Sequence, residues 1–170
     1  AAAKQLLFEQ AAEALRALSG KLEEDTRGYY VPGRIEVLGK HTDYAGGRSL
    51  LCAVERGFCL LVSPRRDADV RLLDARQNSL AEFRMDPDLQ PEQGHWSNYP
   101  MTVARRLARN FPAAYRGADI AFASDLPSAA GMSSSSAFIV AIYLALADLN
   151  RIAETSAYRQ TIRGAEALAG

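Results

Sequence analysis

The longest uninterrupted apolar run in the sequence, AFIVAIYLALA from Ala137 to Ala147, follows directly on four serines, Ser133 to Ser136. It is well short of the roughly 20 residues a membrane span requires, so it reads as a buried helix. Ahead of it, DLPSAAGM supplies a strand end and a loop of small residues. The chain must therefore pass from a strand, through that loop, into a helix hidden from water.

The rest of the pattern says what hides it. Leu6, Leu7, Ala11, Ala14, Leu15 and Leu18 recur at helical spacing through Lys4 to Ser19, and Gly20 offers a C-terminal stop. Four β-rich pieces follow, YYVPGRIEVLG, ERGFCLLVSP, DVRLLDA and SLAEFRM, with Pro64, Asp67, Gln77 and Asn78 among the turn residues. HWSNYPMTVARRLARNF restores the helical period, with Trp96, Tyr99, Val103 and Leu107 on one face, and GADIAFASDLP reads as another strand. Helices are expected at Ser133 to Leu149 and Glu154 to Ala169. This order argues for an α+β domain with helices against one face of a mostly antiparallel sheet.

Composition narrows the class. At 170 residues, 48% hydrophobic and 24% charged, the chain suits one globular domain with a proper core. Twenty Lys and Arg balance twenty Asp and Glu, leaving no net basic field to hold a nucleic-acid backbone. Cys52 and Cys59 lack disulfide-framework or metal spacing and lie in an apolar stretch where a free thiol behaves as a small hydrophobe. With no secretory signal or membrane span in view, a reducing, cytoplasmic setting fits.

Two phrases carry chemistry. In PSAAGMSSSSA, small residues let backbone approach a ligand, and the first N–H groups of the helix have no intrahelical partners; a phosphate can take them together with the positive end of the dipole. Serine hydroxyls add donors and can ligate Mg²⁺. The plainer alternative is that the serines only cap the helix. VPGRIEVLGKHTDYAGG packs Arg34, Glu36, Lys40, His41 and Asp43 into ten positions. It is not a Walker A loop, because Gly33 and Gly39 are separated by five residues and Lys40 is followed by His41, and no GxGxxG fingerprint occurs. Taken alone, HTD is a hydrogen-bonded turn.

Together the phrases resemble the GHMP small-molecule kinases, and within them the galactokinases. GRIEVLGKHTDYAGG is similar to the galactokinase sugar signature, PSAAGMSSSSA to the superfamily phosphate loop, and HWSNY to the segment bordering the nucleotide. The resemblance implies the GHMP kinase N-terminal domain fold (ribosomal protein S5 domain 2-like), with ATP and Mg²⁺ as cofactors and a monosaccharide phosphorylated at its C1 hydroxyl. It aligns Arg34 with the arginine beside that hydroxyl, Asp43 with the carboxylate that accepts sugar hydroxyls, and His41 with a neighbouring sugar contact. Gly131, Ser133, Ser134 and Ser135 align with the triphosphate loop, Ser134 being the one that reaches Mg²⁺. Trp96 and Tyr99 align with residues near adenine, though Trp96 at helical spacing equally suits a core. Glu166 aligns with the acidic residue that completes the Mg²⁺ site, with a local spacing that departs from the family's.

Two departures bear on the substrate. Lys40 stands where galactokinases usually carry glutamate, expected to face the sugar's C6 end, and Glu36 stands where they carry asparagine. The sugar is thus galactose or a galacturonate-like relative. The resemblance places the catalytic aspartate and the C-terminal domain beyond residue 170, so residues 1–170 are expected to form most of the N-terminal sugar- and ATP-binding domain and to lack turnover alone. A non-catalytic sugar and nucleotide sensor acting through a partner protein is the alternative; a mevalonate or homoserine kinase branch is disfavoured by HTDYAGG.

Overall fold

Leu7, Ala11 and Leu15 are buried at successive turns of α1 (Ala2–Ser19) and form the stripe that lays this helix on the sheet. Gly20 follows with φ +83° and ends the helix as expected. The computed structural model describes residues 2–39, 46–92, 94–112, 115–127 and 132–160. The strands are β1 (Arg27–Leu38), β2 (Leu50–Pro64), β3 (Asp69–Asp74), β4 (Ser79–Arg84) and β5 (Ala118–Ser124), and the remaining long helices are α2 (Asn98–Asn110) and α3 (Ser134–Leu149). A single 3-10 turn, Ile152–Glu154, and helical residues 156–160 occupy the start of the expected last helix; residues 161–170 lie outside the described residues. No helix among the described residues is long and apolar enough to cross a membrane.

The strands form one sheet in the order β1-β2-β5-β3-β4. All pairings are antiparallel except β3 with β5. The mostly antiparallel α+β architecture is as the sequence suggests, but the helices do not share one face. Phe58, Leu60, Val62, Ile120 and Phe122 join α2 and α3 in the main core, whereas Cys59 and Ala123 point the other way, to Leu7 of α1. The reason is visible in β5, where ADIAFA is buried from end to end. A central strand apolar on both faces needs cover on both. Its side chains alternate in size, with Ile120 and Phe122 toward α2 and α3 and the small Ala123 toward α1.

Other boundaries shift for local reasons. The helix expected from His95 begins at Asn98, and its buried side is Pro100, Met101, Val103, Ala104, Leu107 and Ala108. Pro100 is tolerated because the first-turn N–H it lacks would have no helical partner. Trp96 therefore precedes the helix, and Tyr99 is 43% exposed. Cys59 is buried as expected, but Cys52 is exposed, on the part of β2 that extends past the core. Within β5, buried Asp119 accepts a bidentate pair from Arg71, at 2.7 and 2.6 Å, and a third hydrogen bond from Arg65 at 3.1 Å.

Candidate functional site

The N-terminal turn of α3 organises the site. Ser133 sits just before it in the left-handed region, φ 51° and ψ 42°, and makes no side-chain cap bond. A serine there stores local strain, and the first regular helical bond runs from Ala137 N–H to the Ser133 carbonyl at 2.9 Å. The amides of Ser134, Ser135 and Ser136 precede that bond and face outward with the dipole behind them. The hydroxyls are not spent on capping.

The turn has a cavity on each side. A cleft of about 670 Å³ has Ser134, Ser135, Leu126 and Pro127 along one wall and Asp74, Arg76, Gln77, Trp96 and Tyr99 along another. Its floor is aromatic: Phe58 stacks on Phe138 with centroids 5.0 Å apart, Phe122 lies 4.7 Å from Phe138, and Trp96 meets Phe122 edge-on at 5.8 Å. Trp96 also donates its indole N–H to Ser79 Oγ at 3.0 Å, so it is a core residue and a wall residue at once. A flat aromatic surface next to a cluster of free amides and hydroxyls matches a ligand with a planar ring at one end and anionic groups at the other.

On the other side a smaller cavity of about 100 Å³ is lined by Val31, Pro32, Arg34, Ser133, Ser136 and Val140, among others. Arg34 is exposed, projecting a permanent cation beside the serines. Its amide donates to the Met132 carbonyl at 3.2 Å, tying β1 to the start of α3. Arg34, Ser133, Ser134, Ser135, Trp96 and Tyr99 thus converge on one helix end from two sides. Lys40, His41 and Asp43 (within residues 40–45), Gly131 (within 128–131) and Glu166 (within 161–170) lie outside the described residues.

Comparison with known proteins bears on the same two regions. The family model for the GHMP kinases N terminal domain matches residues 98–166, and the galactokinase galactose-binding signature matches residues 19–64. The chain carries a GHMP kinase N-terminal domain and the galactokinase galactose-binding signature. The galactokinase of Chloroflexus aggregans is 38% identical over 128 residues, covering 75% of this chain and 32% of that protein. That of Actinobacillus pleuropneumoniae serotype 5b is 33% identical over 113 residues, covering 66% and 29%. The crystal structure of Lactococcus lactis galactokinase complexed with galactose superposes with a TM-score of 0.72 at 26% identity, over 81% of this chain and 36% of that one. The chain therefore spans about a third of the length of the galactokinases it matches.

Within this GHMP kinase domain, part of the cleft was not evident from sequence. Asp74 Oδ1 accepts from the amides of Arg76 and Gln77, a turn that ends β3, and Arg76 Nη1 donates to the Ser124 carbonyl at 2.6 Å. Read as a string, DARQNS signals only a turn. It becomes a cleft wall because β3 lies parallel to β5, which sets the end of β3 beside the start of the serine loop.

Proposed function

We propose that this chain forms most of the N-terminal domain of a galactokinase-like enzyme that transfers the γ-phosphoryl group of ATP to the C1 hydroxyl of a monosaccharide. The observation that carries this reading is the placement of two cavities on opposite sides of one helix end: Ser134, Ser135 and the aromatic cleft on one, Arg34 on the other. ATP suits the first side, with its base against Trp96 and Tyr99 and its phosphates on the amides and hydroxyls at the start of α3. The sugar suits the second, beside Arg34, and the resemblance assigns Asp43 to accept hydrogen bonds from its hydroxyls and His41 to a neighbouring contact.

Uncapped serine hydroxyls beside a phosphate site are the hard oxygen donors that Mg²⁺ prefers, and Mg²⁺ typically takes few protein ligands alongside substrate phosphates. Ser134 would hold it, with Glu166 as the carboxylate the resemblance assigns; when bound, it neutralises charge on the triphosphate. Arg34 donates to the C1 oxygen and to the migrating phosphoryl group, stabilising the charge that spreads over both. The C1 oxygen bonds to the γ-phosphorus as the bond to the β,γ-bridging oxygen breaks and ADP departs. The hydroxyl proton passes to the family's aspartate, which the resemblance places beyond residue 170. Lys40 in place of glutamate reverses the charge preference at the sugar's C6 end, favouring a carboxylate such as that of galacturonate over a hydroxyl.

The test is ADP release by the full-length protein against a panel of neutral and acidic sugars, with the 170-residue chain alone expected to be inactive. Ser134→Ala should raise the Mg·ATP requirement with little change in sugar affinity. Asp43→Ala should weaken sugar binding by about 1 to 3 kcal/mol, leaving nucleotide affinity intact. Lys40→Glu should lower kcat/KM for galacturonate relative to galactose. Retained sugar and nucleotide binding without sugar-dependent ADP release would replace the kinase reading with the sensor.

A further inference from the structure

Arg34 lies where β1 changes partner. Pro32 pairs with Gly57 and Arg34 with Ala53, so one residue, Gly33, stands opposite three, Val54 to Arg56. Irregularities of this kind bend a strand and re-aim its side chains. Next to this break the Arg34 amide donates to the Met132 carbonyl. Gly33 itself is buried, and a Cβ there would lie 2.5 Å from Leu126 Cδ2 and 2.9 Å from the Met132 carbonyl oxygen. Leu126 and Met132 flank the small-residue loop on its two sides. The strand that carries Arg34 is therefore clasped between the two ends of the loop leading into α3, at a separation only a residue without a side chain permits.

We infer that Gly33 and the Met132 carbonyl form a backbone latch through which nucleotide binding at the start of α3 positions Arg34 for the sugar. This rests on the nucleotide reading given above. Phosphate held by the Ser134 and Ser135 amides fixes the first turn of α3 and, with it, the Met132 carbonyl; that carbonyl fixes the Arg34 amide and hence the base of its side chain. Gly33 is the positioning residue. By linkage the effect is reciprocal: sugar and nucleotide tighten each other's binding by the same factor, expected at about 5-fold or more.

Hydrogen exchange on the full-length protein tests this with a non-hydrolysable ATP analogue and Mg²⁺, in the absence of sugar. The expected result is slower exchange both at the start of α3 and at the Arg34 amide. Protection at α3 without protection at Arg34 overturns the latch and leaves the nucleotide site standing; protection at neither overturns both. Gly33→Ala should lower kcat on the order of 10-fold to 100-fold while changing the separate affinities little, and should abolish the synergy. The Gly33→Ala/Leu126→Ala pair removes the side-chain clash but not the one with the carbonyl. It should recover thermal stability without recovering synergy, and recovery of synergy would assign the effect to packing against Leu126 and overturn the latch.

Discussion

Trp96 is the single tryptophan of the chain and serves both core and cleft, so replacing it separates the two roles. Trp96→Phe keeps an aromatic ring against Phe122 and Phe138 but removes the indole N–H that Ser79 accepts. Loss of that hydrogen bond costs about 1 kcal/mol. The smaller ring, half-buried, forfeits about 0.5 kcal/mol of apolar burial. Together these lower the melting temperature by about 3 to 6 °C for a domain of this size. Ser79→Ala should cost a similar amount, and a double-mutant cycle should return a coupling of about 1 kcal/mol because both substitutions break the same bond. Nucleotide affinity, followed by titration of the full-length protein, should fall about 2- to 5-fold as the cleft wall loses ring area. A coupling near zero would refute the indole–serine bond. Lower stability with unchanged nucleotide affinity would refute the wall role and leave Trp96 as core alone.

Asp119→Ala strands two arginines around a buried position and should destabilise the protein by about 2 to 4 kcal/mol in denaturant unfolding, whereas Arg84→Ala, whose bridge to Asp69 is exposed, should cost under about 1 kcal/mol. Burial pushes the Cys59 thiol up to about 11, and only a thiolate reacts readily; alkylation at neutral pH should therefore mark Cys52 and spare Cys59, as read by mass spectrometry, and labelling of Cys59 in the native protein would show that α1 does not cover that face. The Tyr29 hydroxyl and then Arg27, both donating to Asp148, hold its carboxyl below the ordinary value of 3.8. The stabilisation from a lowered carboxylate is present above that ordinary value and is lost as the pH falls through the folded one, so Asp148→Asn should cost under about 1 kcal/mol at pH 7 and nothing in strong acid.

The sequence carries the elements of this fold more openly than their layering. Leu7, Ala11 and Leu15 announce α1 through spacing alone, and the four serines before AFIVAIYLALA mark the start of α3 to within one residue. That α1 crosses to the far face is written only in ADIAFA, whose alanines look neutral until the strand is known to be central. In the site, Arg34 and the serines are legible because they sit in motifs with a length and order of their own. Asp74, Arg76 and Gln77 are not, since turn formers at the end of β3 become a cleft wall only through pairing with a strand more than forty positions later.

That pairing also dictates the order in which the sheet is built. β1 with β2 and β3 with β4 are hairpins that can close as they emerge, but β2 and β3 never touch as neighbours; β5 lies between them. Until residues 118–124 arrive, the chain holds two separate ribbons, each with an inner edge of unpaired amides and carbonyls. Joining them late through distant contacts is slow, and the open edges are surfaces on which newly made chains stick to each other. Deletions that end short of β5 should yield inclusion bodies from the open edges, and those ending just past it should do so from the apolar face that α3 would have covered.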